Sequence, residues 1–343
     1  MIKNNKILSQ PLVSVIVPTY NGAKRIARTL QSIIEQDYEN LEIIVVDDVS
    51  TDNTVEVVQK VLEDSGRNFQ LIKRTVNGHQ SAARNTGFKA SRGKYVIFFD
   101  HDDLAEKNFV SRLCREIEDR RVDFAFCGFK YYFEHEDRYE PNPAIVQQLR
   151  PSPQEYLRAW GRGEIVLGNV WNYIFNRNFI VQHNLRFPED CYTFEDYEFV
   201  IKAFAVSSRV FSMSDNLYIH VIHPAQQTQA DSVNRINYKT IEQEVMANWR
   251  AARRILKHIN DSEIRNYALS HCIAHTLIRQ LTFTARAGDR EYYDLKVKHV
   301  RHKRIREIFW RTVKFIFKEP ELFFKALMVM YLPGFYYRLR AKR

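Results

Sequence analysis

Residues 41–54 read LEIIVVDDVSTDNT, and the fold follows from how that stretch divides. Ile43, Ile44, Val45 and Val46 stand in an unbroken apolar, β-branched run, so a strand built from them has no polar face. Such a strand must be covered on both sides, as in a parallel sheet flanked by helices. The run stops at Asp47 and Asp48. Asp52 follows, a residue whose carboxylate can accept from the free amides of a helix's first turn, and the spacing predicts a helix over Thr54 to Glu63.

The same βα unit recurs on either side. Val13 to Val17, Glu42 to Asp47, Phe69 to Lys73 and Tyr95 to Phe99 read as strands, with a further one near Phe124 to Tyr132. Lys24 to Glu35, Ser81 to Ala90 and Asn108 to Asp119 read as helices, and Gly22 and Gly93 mark breaks. The expected class is therefore α/β with a mostly parallel central sheet. Ligands of such sheets sit at the carboxyl ends of the strands. The residues there are Pro18-Thr19-Tyr20-Asn21, Asp47-Asp48 and Asp100-His101-Asp102-Asp103.

The acidic tetrapeptide follows a buried apolar strand. Carboxylates packed so closely raise one another's pKa unless a cation joins them. Hard oxygen ligands suit Mg²⁺ or Mn²⁺, completed by phosphates and water. The plainer alternative is a solvated turn capping the next helix. Asp48 is placed to accept from a base or ribose hydroxyl, or else to cap, and Tyr20 offers a ring for a base to stack on. Neither GxGxxG nor GxxxxGK[ST] occurs, against a dinucleotide enzyme or a P-loop NTPase.

Four segments together, PLVSVIVPTYNG (11–22), LEIIVVDDVSTDNT (41–54), NGHQSAARNTGFKASRGKYVIFFDHDD (77–103) and FEDYEF (194–199), resemble family 2 glycosyltransferases of the GT-A fold. The resemblance is strong over Pro11 to about Phe133, moderate over Val170 to Phe204 and faint beyond Ala205. It implies an inverting hexosyl- or N-acetylhexosaminyltransferase that uses a UDP-linked or similar donor and a polysaccharide or lipid-linked glycan acceptor. By that similarity Pro18, Tyr20 and Asp48 hold the nucleoside, with Thr19 and Asn21 beside them. Arg84 and Asn85 lie near the donor. Asp100 and Asp102 stand where the DxD carboxylates stand, Asp102 being the direct ligand of Mn²⁺ or Mg²⁺.

In the later motif the resemblance makes Asp196 the general base, supported by Glu195. A carboxylate within hydrogen-bond reach can take the proton of an attacking sugar hydroxyl, and Glu195 and Glu198 would raise its pKa by repulsion. The alternative is an acidic first turn favoured by the helix dipole. The chain departs from many relatives in carrying His79 where they have a second glycine, and His101 in the middle of the DxD. Each touches the donor or serves the structure. Trp171-Asn172 falls in the acceptor-side region, where Trp171 offers a face to a sugar or belongs to the core. Two rivals remain: a catalytically inactive GT-A scaffold module, and a related phospho-group transferase.

The 343 residues, 45% hydrophobic and 27% charged, suffice for one large domain plus an appendage. The expected organisation is a lead over 1–10, a nucleotide-sugar half over 11–133 and an acceptor and base half over 134–236. A helical extension over 237–297 and a basic tail over 298–343 complete it. Glu134 to Pro153, with four prolines, reads as a loop or linker. Gln154 to Trp160 reads as a short helix, Gly168 to Arg177 as extended chain and Asp196 to Ala205 as a helix.

Cys114, Cys127, Cys191 and Cys272 show no CxxC spacing and read as reduced, buried thiols of a cytosolic protein. Met1 to Gln10 lacks the apolar stretch of a secretory signal, and no run of about 20 apolar residues occurs. The net charge of +10 lies in the tail, where residues 298–343 hold 13 Lys/Arg against 3 Asp/Glu and the rest hold 38 of each. Its mixture of cations with large apolar residues fits an amphipathic helix on an anionic membrane surface, the alternative being a helix packed on the protein. The expectation is a peripheral protein on the inner face of the cell membrane. No nucleic-acid motif accompanies the charge.

Overall fold

The computed structural model describes residues 10–142, 150–161, 164–165, 167–190 and 195–223, together with isolated positions between 250 and 338. In chain order the described elements are β1 (Val13–Thr19), α1 (Ile26–Ile34), β2 (Leu41–Asp47), α2 (Thr54–Glu63), β3 (Asn68–Lys73), α3 (His79–Ala90), β4 (Tyr95–Phe98), β5 (Leu104–Ala105) and α4 (Phe109–Arg120). They continue with β6 (Phe124–Phe133), β7 (Arg138–Pro141), α5 (Pro153–Gly161), β8 (Tyr173–Asn176), α6 (Arg177–Gln182), α7 (Glu195–Val206) and β9 (Val210–Ile222).

The strands join one mixed sheet in the order β3-β2-β1-β4-β8-β6-β9-β5, with β7 hydrogen-bonded to β6. β3, β2, β1 and β4 run parallel. β8 turns antiparallel on β4, and β6 antiparallel on β8. Every residue of β1 and β2 is buried, as their apolar runs require. Pro18 lies inside β1 without breaking it. The pairing with β4 ends at Ile16, so the amide that proline lacks has no ladder to join on that side. The segment expected to be loop from Glu134 to Pro153 contains β7, which forms a hairpin with β6. Its residues are all exposed, so it carries no apolar signal.

Helices cover the sheet by the usual spacing. α1 buries Ile26, Leu30 and Ile33, and α4 buries Phe109, Leu113 and Ile117 on one stripe. α3 packs closest: a Cβ at Gly87 would come within 2.4 Å of the Ile16 side chain, so only glycine fits. The open C-terminus of α1 is answered by Arg67, whose guanidinium donates to the carbonyls of Ile34, Gln36, Tyr38 and Glu39.

Two compact units divide the chain. One comprises residues 1–153, 169–189 and 207–221, and the other residues 154–168, 190–206 and 222–343. The hydrophobic core of the first is built from β1, β2, β4, α1 and α4 and extends to Trp171 and Tyr218. Cys114 and Cys127 are buried free thiols, which burial pushes up to about 11 and about 12. Cys191 and Cys272 lie outside the described residues, as do most of the 237–297 extension and of the tail. Among the described residues no helix is long and apolar enough to cross a membrane.

Candidate functional site

Because β1, β2 and β4 are parallel neighbours, their carboxyl ends share one edge of the sheet, and the loops leaving them are knitted together. Asn21, held at φ 49°, receives the Thr51 amide on its side-chain oxygen at 2.8 Å and gives its own amide to Ser50 at 2.9 Å. The expected donor residue Asn21 therefore buckles two loops. Asp52 accepts from the Thr54 amide at 3.0 Å and from the Thr54 hydroxyl, closing the start of α2. Burial works against its charge, but these bonds prevail and its carboxyl stays below the usual range.

Pro18 and Thr19 are buried, whereas Tyr20 is 48% exposed and free to present its ring. The Thr19 hydroxyl, one oxygen of buried Asp47 and the hydroxyl of buried Ser81, in the first turn of α3, have no hydrogen-bond partner among the described residues. Three unanswered polar atoms at one sheet edge are what a polar ligand site leaves behind.

Asp48 is buried and engaged. It pairs with Arg74 and accepts the Gly78 amide at 3.1–3.2 Å, while Asn77 donates to its carbonyl at 2.9 Å. A Cβ at Gly78 would lie 2.8 Å from the Cβ of Ala82 and 2.7 Å from the Arg74 guanidinium. Arg74 directly follows β3, the one parallel strand whose carboxyl end the sequence reading passed over. That position was the available signal. His79 has φ 60°, in the left-handed region, which accounts for glycine being the residue expected there; histidine tolerates it at a cost in strain. The His101 ring packs against Gly22, where a Cβ would meet it at 2.7 Å.

The acidic turn is pinned at both ends. Arg84, 1% exposed, donates to Asp100 at 2.8 Å. Asn85 holds the segment after α6, exchanging hydrogen bonds with both main-chain groups of Phe187 at 2.9 and 3.0 Å and donating to Glu189. At the other end Asp103 is fully buried and accepts from the Tyr218 hydroxyl at 2.8 Å and the Val221 amide at 2.8 Å, with His220 Nδ1 at 3.1 Å. β5 pairs with β9 immediately beyond. Burial alone would lower the His220 pKa, but the Asp103 carboxylate pulls it up to about 9. Burial raises Asp103 as well, His220 opposing, so the pair retains a proton to high pH. Asp103, Tyr218 and His220 were not assigned roles from sequence, since 115 residues or more separate the partners.

Between these anchors lie Asp102 and His101, both partly buried. Among the described residues no three His, Cys, Asp or Glu side chains are grouped to hold a metal unaided. A hard divalent cation in a phosphate site needs only one or two protein carboxylates, the rest coming from phosphate and water. Asp100 and Asp102 meet that requirement.

Trp171 and Asn172 are not an open acceptor surface. Trp171 is 6% exposed and stacks on Tyr218 at 4.3 Å and on His220 at 5.6 Å, while buried Asn172 hydrogen-bonds Cys127. The core alternative for Trp171 is the one realised, because the aromatic face is consumed within the sheet.

In the second unit α7 begins at Glu195, which is buried, and Asp196 is partly buried. Phe194 lies outside the described residues. Glu198, 1% exposed, pairs with Lys202 and Arg254. Its charge is thus balanced by two cations.

Residues 14–187 match Glycosyl transferase family 2. The chain belongs to that family. Its similarity extends to the uncharacterized glycosyltransferase EpsJ of Bacillus subtilis, 34% identical over 223 residues that make up 64% of this chain and 63% of EpsJ. The family 2 chain thus spans less than two thirds of that relative's length. Among solved structures, Staphylococcus aureus TarS 1–349 in complex with UDP-GlcNAc superposes with a TM-score of 0.66 at 22% identity, covering 94% of this chain and 92% of that one. A mannosyltransferase of Pyrobaculum calidifontis in complex with GDP-Man and Mn²⁺ follows at 0.55 and 18%, covering 94% and 88%. These likenesses give the GT-A fold.

Proposed function

We propose that the chain is an inverting glycosyltransferase that moves a sugar from a UDP-linked donor to a hydroxyl of a polysaccharide or lipid-linked glycan. The observation that carries this reading is the carboxyl edge of β1, β2 and β4. In a family 2 chain it gathers an exposed ring at Tyr20, unanswered polar atoms on Thr19, Asp47 and Ser81, and the pinned acidic turn.

Tyr20 stacks on the base, and Asp48 with Arg74 addresses its hydrogen-bonding edge. Asp102, with Asp100 beside it, would hold a Mg²⁺ or Mn²⁺ ion, which when bound supplies positive charge to the departing diphosphate. Arg84 keeps Asp100 oriented. Asp196 accepts the proton of the acceptor hydroxyl as its oxygen forms the new bond to the anomeric carbon. The old carbon–oxygen bond breaks in the same displacement, its electron pair leaving with the diphosphate, so the anomeric carbon inverts. Glu195 supports Asp196.

The test is nucleotide release across a panel of nucleotide sugars, with Mn²⁺, Mg²⁺ or chelator. Metal-stimulated release from a UDP-sugar is expected, and no release from any donor would refute the reading. For the tail we propose an anionic membrane as the partner, supported by its 13 cations against 3 acids. The chain should sediment with phosphatidylserine vesicles, and the triple variant Arg301→Gln, Lys303→Gln, Arg304→Gln should sediment less. Equal sedimentation removes the membrane assignment.

A further inference from the structure

The helical extension expected over 237–297 sends one side chain to the motif that carries the proposed base. Arg254 lies 56 residues after Glu198 and 64 after Asp190, and its guanidinium engages both. Nε stands 2.8 and 2.9 Å from the two oxygens of Glu198. The two terminal nitrogens grip Asp190 as a fork, Nη1 at 3.1 Å from one oxygen and Nη2 at 2.9 Å from the other. Arg250 adds a bond to Asp190 at 3.1 Å, and Lys202 a pairing to Glu198.

Asp190 and Glu198 straddle Glu195 and Asp196. One planar cation therefore ties together the two sides of the segment on which the acid pair sits. Glu198 is buried, so it has no water to fall back on and must keep its cationic partners. Asp190 is far more open, yet Arg254 and Arg250 hold its carboxyl below the usual range against the opposing effect of burial. Next to Asp196, the Tyr197 ring lies flat on Gly168, where φ is 141° and a Cβ would come within 2.7 Å of three ring atoms. The start of α7 is thereby fixed from a second direction.

We propose that Arg254 is a positioning residue for transfer: by clamping Asp190 to Glu198 it sets the place and direction of Asp196, which makes the C-terminal extension part of the catalytic apparatus. The proposal rests on the assignment of Asp196 as base. It also gives Glu198 a task, as the buried anchor that receives the clamp.

A fork bridging two carboxylates is not reproduced by an ammonium point charge, so Arg254→Lys is the informative variant. It keeps Glu198 compensated, protecting the fold, while losing the bridge. Misplacing a reacting group by about 1 Å costs on the order of 100-fold, so kcat for nucleotide-sugar transfer should fall roughly 10- to 100-fold, with UDP affinity and donor KM within about twofold. Hydrogen–deuterium exchange should rise in peptide 190–199 and stay unchanged in peptide 41–47, with Glu198→Gln behaving alike. Unchanged exchange in 190–199 overturns the clamp whatever the activity. Loosened exchange with kcat within about threefold of the parent overturns its part in transfer, as does a parallel loss of UDP affinity. A parent chain inert on every donor instead overturns the transferase reading, and the exchange result then still decides the clamp.

Discussion

The two ends of the parallel strands treat buried polar groups in opposite ways. At the amino ends Glu42, 1% exposed, accepts from the Ser14 hydroxyl, from the Arg92 amide at 2.7 Å and from the Gly93 amide at 3.1 Å, and Arg92 reaches its second oxygen at 3.4 Å. Ser14 in turn accepts from Gly93 at 2.8 Å. At the carboxyl ends, one strand length away, Thr19, Asp47 and Ser81 each keep a buried oxygen without a partner among the described residues. An unmade buried hydrogen bond costs about 1–3 kcal/mol. A sheet that satisfies one end completely and leaves the other short has reserved the second end for something that supplies donors and acceptors.

This contrast breaks first if the two ends respond alike to substitution. Asp102→Asn and Asp196→Asn should each reduce transfer by about 100- to 10,000-fold while leaving the melting temperature within 1–2 °C, roughly the effect of a neutral surface change. Near-normal turnover in either would remove that residue's role. Glu42→Ala should do the reverse, costing about 2–4 kcal/mol in urea unfolding by stranding Ser14, Arg92 and two amides, with kcat per folded molecule preserved. A Glu42 variant that stays stable but loses activity would erase the distinction.

A smaller effect sharpens the comparison through pH. His220 and Asp103 are both raised in the folded chain, so folding takes up protons there. The stability that the His220 proton contributes is complete below about pH 6.5, the free imidazole value, and is lost as pH climbs through about 9. The melting temperature should fall over that window, and His220→Gln should flatten the fall; an equal slope in the variant would contradict the pairing. Smallest is His79→Gly. Relief of a left-handed residue gains about 1–2 kcal/mol and the freer unfolded chain takes back about 0.4–1, leaving a slight rise in melting temperature. A fall would show that His79 contributes contacts outweighing its strain.

The first half of the fold was legible because its signals are local. β-branched runs gave β1, β2 and β4 to within two residues, and α2 from Thr54 to Glu63 matches its predicted span. In the antiparallel half β6 and β8 fall on their expected stretches, whereas three other strands hid their signals. β7 is fully exposed, β5 has two residues, and β9 breaks its apolar run with Asp215-Asn216. At the site, acids at strand ends could be read from spacing, but their partners could not. Arg74 meets Asp48 across 26 residues, and Tyr218 meets Asp103 across 115. Contacts of that reach are set by topology, to which a pattern of neighbours in sequence is blind.

Trp171 lies parallel to the His220 imidazole, with 2° between the ring planes. An indole stacked on a cationic ring loses excited-state energy to it by electron transfer, so the fluorescence of this tryptophan reports the charge of its neighbour. The chain thus carries a native optical gauge wired to the base of its acidic turn, readable without any attached dye.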